Sequence, residues 1–203
     1  MAAGVIIAGG EGTRLGGVLK SELVVGGVRL IDRVAARLED CSPLLVMHGR
    51  HEAGRLSVPA GAVTVPDLAS DYGGPLAGLA AAVEWLGHAG WSGDLVLSAV
   101  DAPFLPADYV PRLLEALARA PAAIASAGGQ PYPANSAWRL AAIADLPDAV
   151  RAGTAPRSLK RLAEKLGAAS VSWPIGPAGD PFANANTPEE LAALDARARA
   201  AGL

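Results

Sequence analysis

Five glycines, one arginine and one lysine fall within thirteen residues, Ala8-Gly9-Gly10-Glu11-Gly12-Thr13-Arg14-Leu15-Gly16-Gly17-Val18-Leu19-Lys20. Glycines let backbone N–H groups crowd against an anion, because no Cβ intervenes. Arg14 and Lys20 add full charges that suit phosphate oxygens. The apolar run Val5-Ile6-Ile7 that enters this loop reads as a buried strand, and a strand feeding a glycine-rich loop is the usual layout of a nucleotide-phosphate site. Two familiar loops do not match. A dinucleotide loop needs a third glycine where Leu15 stands, which argues against a nicotinamide-dependent oxidoreductase, and a P-loop needs Gly-Lys-Ser/Thr where the chain has Leu19-Lys20-Ser21. What remains is Ala-Gly-Gly-x-Gly-x-Arg-x-Gly with a lysine shortly after. A glycine-rich turn with surface charges is the bland alternative; two basic residues directly after a buried strand favour the phosphate site.

A second group of candidates is acidic. Asp101 ends the apolar run Leu95–Val100, and Asp67 follows Val63-Thr64-Val65-Pro66. Ligands of open α/β sheets bind outside the carboxyl ends of the strands, so parallel strands would bring Asp67, Asp101 and the glycine loop to one crevice. A carboxylate there is what Mg²⁺ needs, since that ion keeps several waters and takes one or two protein carboxylates beside phosphate oxygens. Asp101 also reads as a turn or capping carboxylate before Pro103, and Pro66-Asp67 as a turn; the phosphate loop on the same sheet edge favours metal binding at Asp101. His48, His51 and His88 show no metal-ligand spacing, and Asp71 and Tyr72 read as loop residues.

These residues need a scaffold, and the composition describes one. The chain has 203 residues, 51% hydrophobic but only 4% aromatic, so Ala, Val, Leu and Ile must build the core. That suits a three-layer α/β fold with a mostly parallel sheet, in a single domain over 1–203. Strands are expected at Val5–Ala8, Leu44–Met47, Ala62–Val65, Leu95–Val100, Ala122–Ala127 and Val171–Ile175. Helices are expected over about 30–39, from Pro75, over Ala107–Ala118 (with Pro111 in the first turn), over about 140–151 and 158–167, and from Thr187-Pro188-Glu189-Glu190, a capping box. Residues 128–140 read as irregular, with an edge strand at Ala134–Trp138. The formal net charge of −3 and the lack of a basic run argue against nucleic acid or an anionic membrane as partner. One cysteine, Cys41, rules out an internal disulfide, and no signal peptide or spanning run is evident, so a cytoplasmic protein is expected.

Four separated segments together resemble the MobA family of molybdenum cofactor guanylyltransferases, over essentially the whole chain. They are Ile6 to Gly16 with Lys20; Asp67 with Gly74-Pro75-Leu76-Ala77-Gly78; Val100-Asp101-Ala102-Pro103-Phe104-Leu105-Pro106; and Phe182-Ala183-Asn184-Ala185-Asn186-Thr187-Pro188-Glu189-Glu190-Leu191. The resemblance implies a Rossmann-like nucleotidyltransferase fold and transfer of GMP from GTP to the terminal phosphate of molybdenum-molybdopterin, with Mg²⁺. It implies that Ile7, Ala8 and Gly9 hold the base and ribose end of GTP, that Gly10, Gly12, Arg14 and Lys20 hold the triphosphate, and that Asp67 contacts the nucleotide. It further implies Mg²⁺ on Asp101, Asn184 and Asn186 on the molybdopterin side, and transient contact with molybdenum insertion proteins or molybdoenzymes. Arg14, Lys20 and Asp101 would carry the catalysis. Met47 departs from the family, standing where many members carry an asparagine that helps read the base; it has no amide to offer. Gln130-Pro131-Tyr132-Pro133-Ala134 matches the family's acceptor-side segment only loosely. The alternatives are a related transferase using CTP or a sugar or alditol phosphate acceptor, and a non-catalytic nucleotide-binding chaperone of the cofactor.

Overall fold

The computed structural model describes residues 1–9, 11–12, 17–49 and 56–202. In chain order the elements begin with β1 (Ala2–Ile7), two small hairpins β2 (Glu11–Gly12) with β3 (Val18–Leu19) and β4 (Val24–Val25) with β5 (Val28–Arg29), then α1 (Leu30–Arg37) and β6 (Leu44–His48). β7 (Val63–Pro66), α2 (Pro75–His88), β8 (Asp94–Ala99), α3 (Tyr109–Ala116), β9 (Ala122–Ala127) and β10 (Gln130–Arg139) follow, and the chain closes with α4 (Leu146–Arg151), α5 (Leu159–Leu166), β11 (Ala169–Trp173) and α6 (Pro188–Ala200).

Among the described residues the main sheet has the order β11-β9-β10-β8-β1-β6-β7. β1 pairs in parallel with β6 and β8, β6 with β7, and β11 with β9, while β10 alone runs against its neighbours. Both faces of the sheet are covered, and the pleat explains the continuous apolar runs seen in the sequence. Along β1, Ala3, Val5 and Ile7 turn towards α2, α4 and α5, whereas Ala2 and Ile6 turn towards α1 and α3. Alanine and glycine make this packing possible. On α2 the buried Ala77, Gly78, Ala80, Ala81 and Ala82 bring the helix close to the sheet. A methyl group on Gly78 would lie 2.8 Å from Ile7 Cδ1, a distance that two carbons do not reach without movement.

The helix ends follow the sequence signals. Pro75 occupies the first turn of α2 after Gly74, whose φ of +68° suits glycine. Thr187 and Glu190 complete the capping box of α6, and α6 packs Leu194 and Ala198 against Val25 and Leu30. Pro111 falls in the first turn of α3, where its missing N–H costs nothing.

Two expectations need correction. The stretch 128–140 is neither irregular nor an edge: β10 is a ten-residue strand lying between β9 and β8. Pro131 and Pro133 argue against a central strand, but residues 130–132 pair only with β9, the register shifts before Ser136, and pairing with β8 begins at Ser136. Gly128 and Gly129, both with positive φ, close the two-residue turn of the hairpin. Nor is 140–151 one helix; a 3₁₀ turn at Leu140–Ala142 precedes α4, whose start is set by Pro147 in its first turn. Among the described residues no helix is long and apolar enough to cross a membrane.

Candidate active site

The order of strands reverses at β1, with β6 and β7 to one side and β8 to the other. An open sheet forms its ligand crevice at such a switch point. A cleft of about 360 Å³ opens there, lined by Ile7, Gly9, Lys20, Asp101, Tyr132, Asn135, Phe182 and Asn184.

Lys20 is the centre of the polar network. It begins a 3₁₀ turn just after buried Leu19, and its ammonium donates to Asp101 Oδ2 and to Asn186 Oδ1, each at 2.7 Å. The Lys20 and Asp101 side chains are 18% and 13% exposed, so the pair is little screened by solvent. Asn186 is itself placed by the helix cap: its N–H donates to the Glu190 carboxylate at 2.7 Å, the same group that closes the capping box. Lysine, aspartate and asparagine from three separate sequence segments are thus joined through one ammonium.

The base of the cleft is made by close backbone approach. Ala8 N donates to Met47 O at 2.8 Å and Asp67 N to His48 O at 2.8 Å, which carries the β1–β6–β7 register beyond the strands. A methyl group on Gly9 would come within 3.0 Å of Gly49 N and 3.1 Å of Asp67 Oδ2, and one on Gly78 within 3.1 Å of Asp67 Oδ1. Asp67 therefore sits tightly between the first loop and α2, and a side chain at either glycine would displace it.

Part of the cleft lining is aromatic. Tyr132 and Phe182 lie 5.2 Å apart, and Phe182 meets Trp173 edge-on at 5.3 Å. The Tyr132 hydroxyl donates to Asp180 Oδ2, while Asp180 Oδ1 accepts from Phe182 N at 2.8 Å. Burial and the Asp180 carboxylate push the Tyr132 phenol up to about 12, so the ring keeps its proton and remains a donor.

The structure brings Ile7, Gly9, Lys20, Asp101 and Asn184 to one cleft, with Asn186 on Lys20 and Asp67 against Gly9. Ala8 contributes its backbone and buries its methyl. Gly10 and Arg14 lie outside the described residues, as does His51; Gly12 is placed only through its pairing with Val18. Met47 is wholly buried in the core under α2 and takes no part in lining the cleft. His48 is buried at the end of β6, its Nδ1 2.8 Å from Gly49 O. Asn135 is not marked by the sequence motifs; it stands at the register shift of β10, and the Gly128-Gly129 pair is the signal for the hairpin that presents it.

Mg²⁺ suits this donor set. Asp101 supplies one carboxylate at the cleft, and among the described residues no group of three or more His, Cys, Asp or Glu side chains gathers to make an all-protein cage. One carboxylate completed by waters and substrate oxygens is how that ion is commonly held.

A Rossmann-like sheet with a cleft at its switch point, an acidic residue at a strand end and a basic residue beside it defines a nucleotide-binding α/β protein. Its sequence is more specific. Residues 4–170 match the family model described as the MobA-like NTP transferase domain, and the chain belongs to that family. It is 36% identical over 192 residues to a molybdenum cofactor guanylyltransferase of Nitrobacter hamburgensis, spanning 93% of this chain and 90% of that one. A protein of the same description from Rhodobacter capsulatus is 37% identical over 198 residues, 97% and 96% of the two chains. A solved structure of molybdopterin-guanine dinucleotide biosynthesis protein A from Archaeoglobus fulgidus superposes with a TM-score of 0.69 at 25% identity, covering 99% of this chain and all of that one.

Proposed function

We propose that the chain, as a single domain over residues 1–203, transfers GMP from GTP to the terminal phosphate of molybdenum-molybdopterin. The observation that carries this reading is the Lys20–Asp101–Asn186 cluster in a cleft at the sheet's switch point; relatives above 35% identity described as molybdenum cofactor guanylyltransferases support the choice of substrates. An acceptor phosphate oxygen attacks the α-phosphorus of GTP. The new P–O bond forms as the bond from the α-phosphorus to the α–β bridging oxygen breaks, and that oxygen leaves with pyrophosphate. A phosphate is already an anion near neutral pH, so the protein needs no general base and works by alignment and charge compensation.

Ile7, Ala8 and Gly9 hold the base and ribose end through the backbone, and Asp67, tight against Gly9, contacts the nucleotide. Gly10, Gly12, Arg14 and Lys20 hold the triphosphate. Lys20 is aimed by Asn186 and balances charge beside Asp101. Asn184 stands on the molybdopterin side of the cleft. Asp101 would hold Mg²⁺, which when bound supplies further compensation of phosphate charge. The same reading puts the protein in the cytoplasm, passing product to molybdenum insertion proteins or molybdoenzymes by transient contact.

The test is pyrophosphate release with Mg²⁺ and molybdenum-molybdopterin, comparing GTP, CTP, ATP and UTP. GTP-selective release is expected. Preference for CTP would move the protein to a cytidylyl transfer, and nucleotide binding without release would make it a binding protein rather than an enzyme.

A further inference from the structure

Strand β10 leaves its ladder with β8 at Ser136, which pairs with Leu97. Beyond that point the next inward-facing amide of β8, Ala99 N, is met by a side chain: Asn135 Oδ1 accepts from Ala99 N at 3.2 Å and from the Ser98 hydroxyl at 3.2 Å. A backbone N–H can only donate, so the atom facing it is the amide oxygen. This fixes which way the Asn135 amide points, with its carbonyl on β8 and its NH₂ on the other side. Asn135 is 3% exposed and lines the cleft with Asp101, Tyr132 and Phe182. Among the described residues nothing accepts a hydrogen bond from Nδ2. The residue is buried, yet its NH₂ opens onto the cleft rather than into closed core, where a ligand oxygen can reach it.

We infer that Asn135 binds the acceptor substrate, donating from Nδ2 to the oxygens of its attacking phosphate. The assignment rests on the transfer reading above. Asn135 stands on β10, which lies beyond β8 from the β1–β6–β7 edge that carries Ile7, Gly9 and Asp67, and that is the side left for the acceptor once the nucleotide lies along the glycine loop. A neutral donor suits this task. It orients an anionic nucleophile while drawing off less of its charge than a cation would, leaving the cations to the phosphates that accumulate charge.

A purely structural role is the competing explanation: Asn135 Oδ1 stands in for the ladder carbonyl that β10 no longer offers Ala99. The two roles use different atoms and separate cleanly. Asn135→Asp keeps an oxygen for Ala99 N and Ser98 and removes the donor; Asn135→Ala removes both without adding charge. Acceptor KM, GTP KM, kcat and thermal midpoint are measured for both variants and the wild type. The expected result is an acceptor KM raised about tenfold to a hundredfold in both variants, as for loss of a hydrogen bond to a charged group. GTP KM stays within about twofold, and Asn135→Ala loses thermal stability, since Ala99 N is left without an acceptor. An unchanged acceptor KM in Asn135→Ala overturns the assignment even if Asn135→Asp is impaired, because the defect is then charge repulsion. A fall in kcat with both KM values unchanged overturns it too. Wild-type protein that transfers no nucleotide to molybdenum-molybdopterin refutes the underlying transfer reading, and the assignment with it.

Discussion

Lys20 and Asp101 offer a quantitative test, because their contact is short, nearly buried and formed between residues 81 apart in sequence. Replacing Lys20 by Met leaves the Asp101 carboxylate without its cation and Asn186 Oδ1 without its donor. Removing one partner of a buried pair costs about 3 kcal/mol or more. Asp101→Asn is milder, since the amide oxygen still accepts from Lys20 and the ammonium keeps Asn186; about 1–2 kcal/mol is expected. The double variant has no buried charge left to strand, and its cost should be about 2 kcal/mol rather than the sum of the two. The coupling energy is therefore about 2–3 kcal/mol. It is read from urea denaturation of the four proteins at constant m-value, and it should persist at raised salt, because so little of either side chain meets solvent. A coupling below about 0.5 kcal/mol, the range of independent sites, would mean that the pair is a screened surface contact. It would then tie nothing together, and one ammonium would not organise the three segments.

Two further effects follow from packing and burial. Gly78→Ala sets a methyl group 2.8 Å from Ile7 Cδ1 and 3.1 Å from Asp67 Oδ1; helix propensity returns about 1 kcal/mol against about 1–3 kcal/mol of overpacking. A net loss of stability with a raised GTP KM is expected, and a variant more stable than wild type would show that α2 can back away freely. Burial, with Asp40 nearby, pushes the Cys41 thiol up from 9.0 to about 11. The folded protein holds that proton where the unfolded chain releases it, so the contribution is intact below pH 9 and is lost as pH rises through about 11, by about 2–3 kcal/mol. Cys41→Ala should flatten stability over that window, and an unaltered slope between pH 9 and 11 would clear the thiol.

Local signals in the sequence mark the elements around Gly9, Lys20 and Asp101. Val5-Ile6-Ile7 and Leu95–Val100 are apolar on both faces because both faces are covered, and continuous apolar runs announce that directly. Gly74-Pro75 and Thr187–Glu190 write their own helix starts. The part of the cleft formed by Tyr132, Asn135 and Phe182 is harder to read, because its logic is non-local. Pro131 and Pro133 look like strand breakers until one knows that the ladder between β8 and β10 reaches only as far as Ser136. Asn135 gains meaning from Ala99, a residue 36 positions away whose amide it meets. Its place after the glycines marks Lys20 as a phosphate-ligand candidate; that it also grips Asp101 and Asn186 depends on the packing of α6, which spacing does not reveal.

That grip bears on how the lysine can serve a triphosphate at all. An ammonium carries three N–H donors, and Lys20 spends one on Asp101 and one on Asn186. Among the described residues no third partner meets the ammonium, so one N–H can serve a phosphate oxygen and Lys20 can meet the nucleotide without leaving its two partners. A tetrahedral donor head is needed for that three-way arrangement. Arginine carries the same charge, but its donors lie in one plane and its head is larger. Lys20→Arg should therefore keep most of the attraction to Asp101 and much of the stability, yet raise the GTP KM by about tenfold, as expected for one lost charge-assisted hydrogen bond. If Lys20→Arg bound GTP like the wild type while Lys20→Met did not, charge alone would suffice, and the third N–H would have no part in holding the triphosphate.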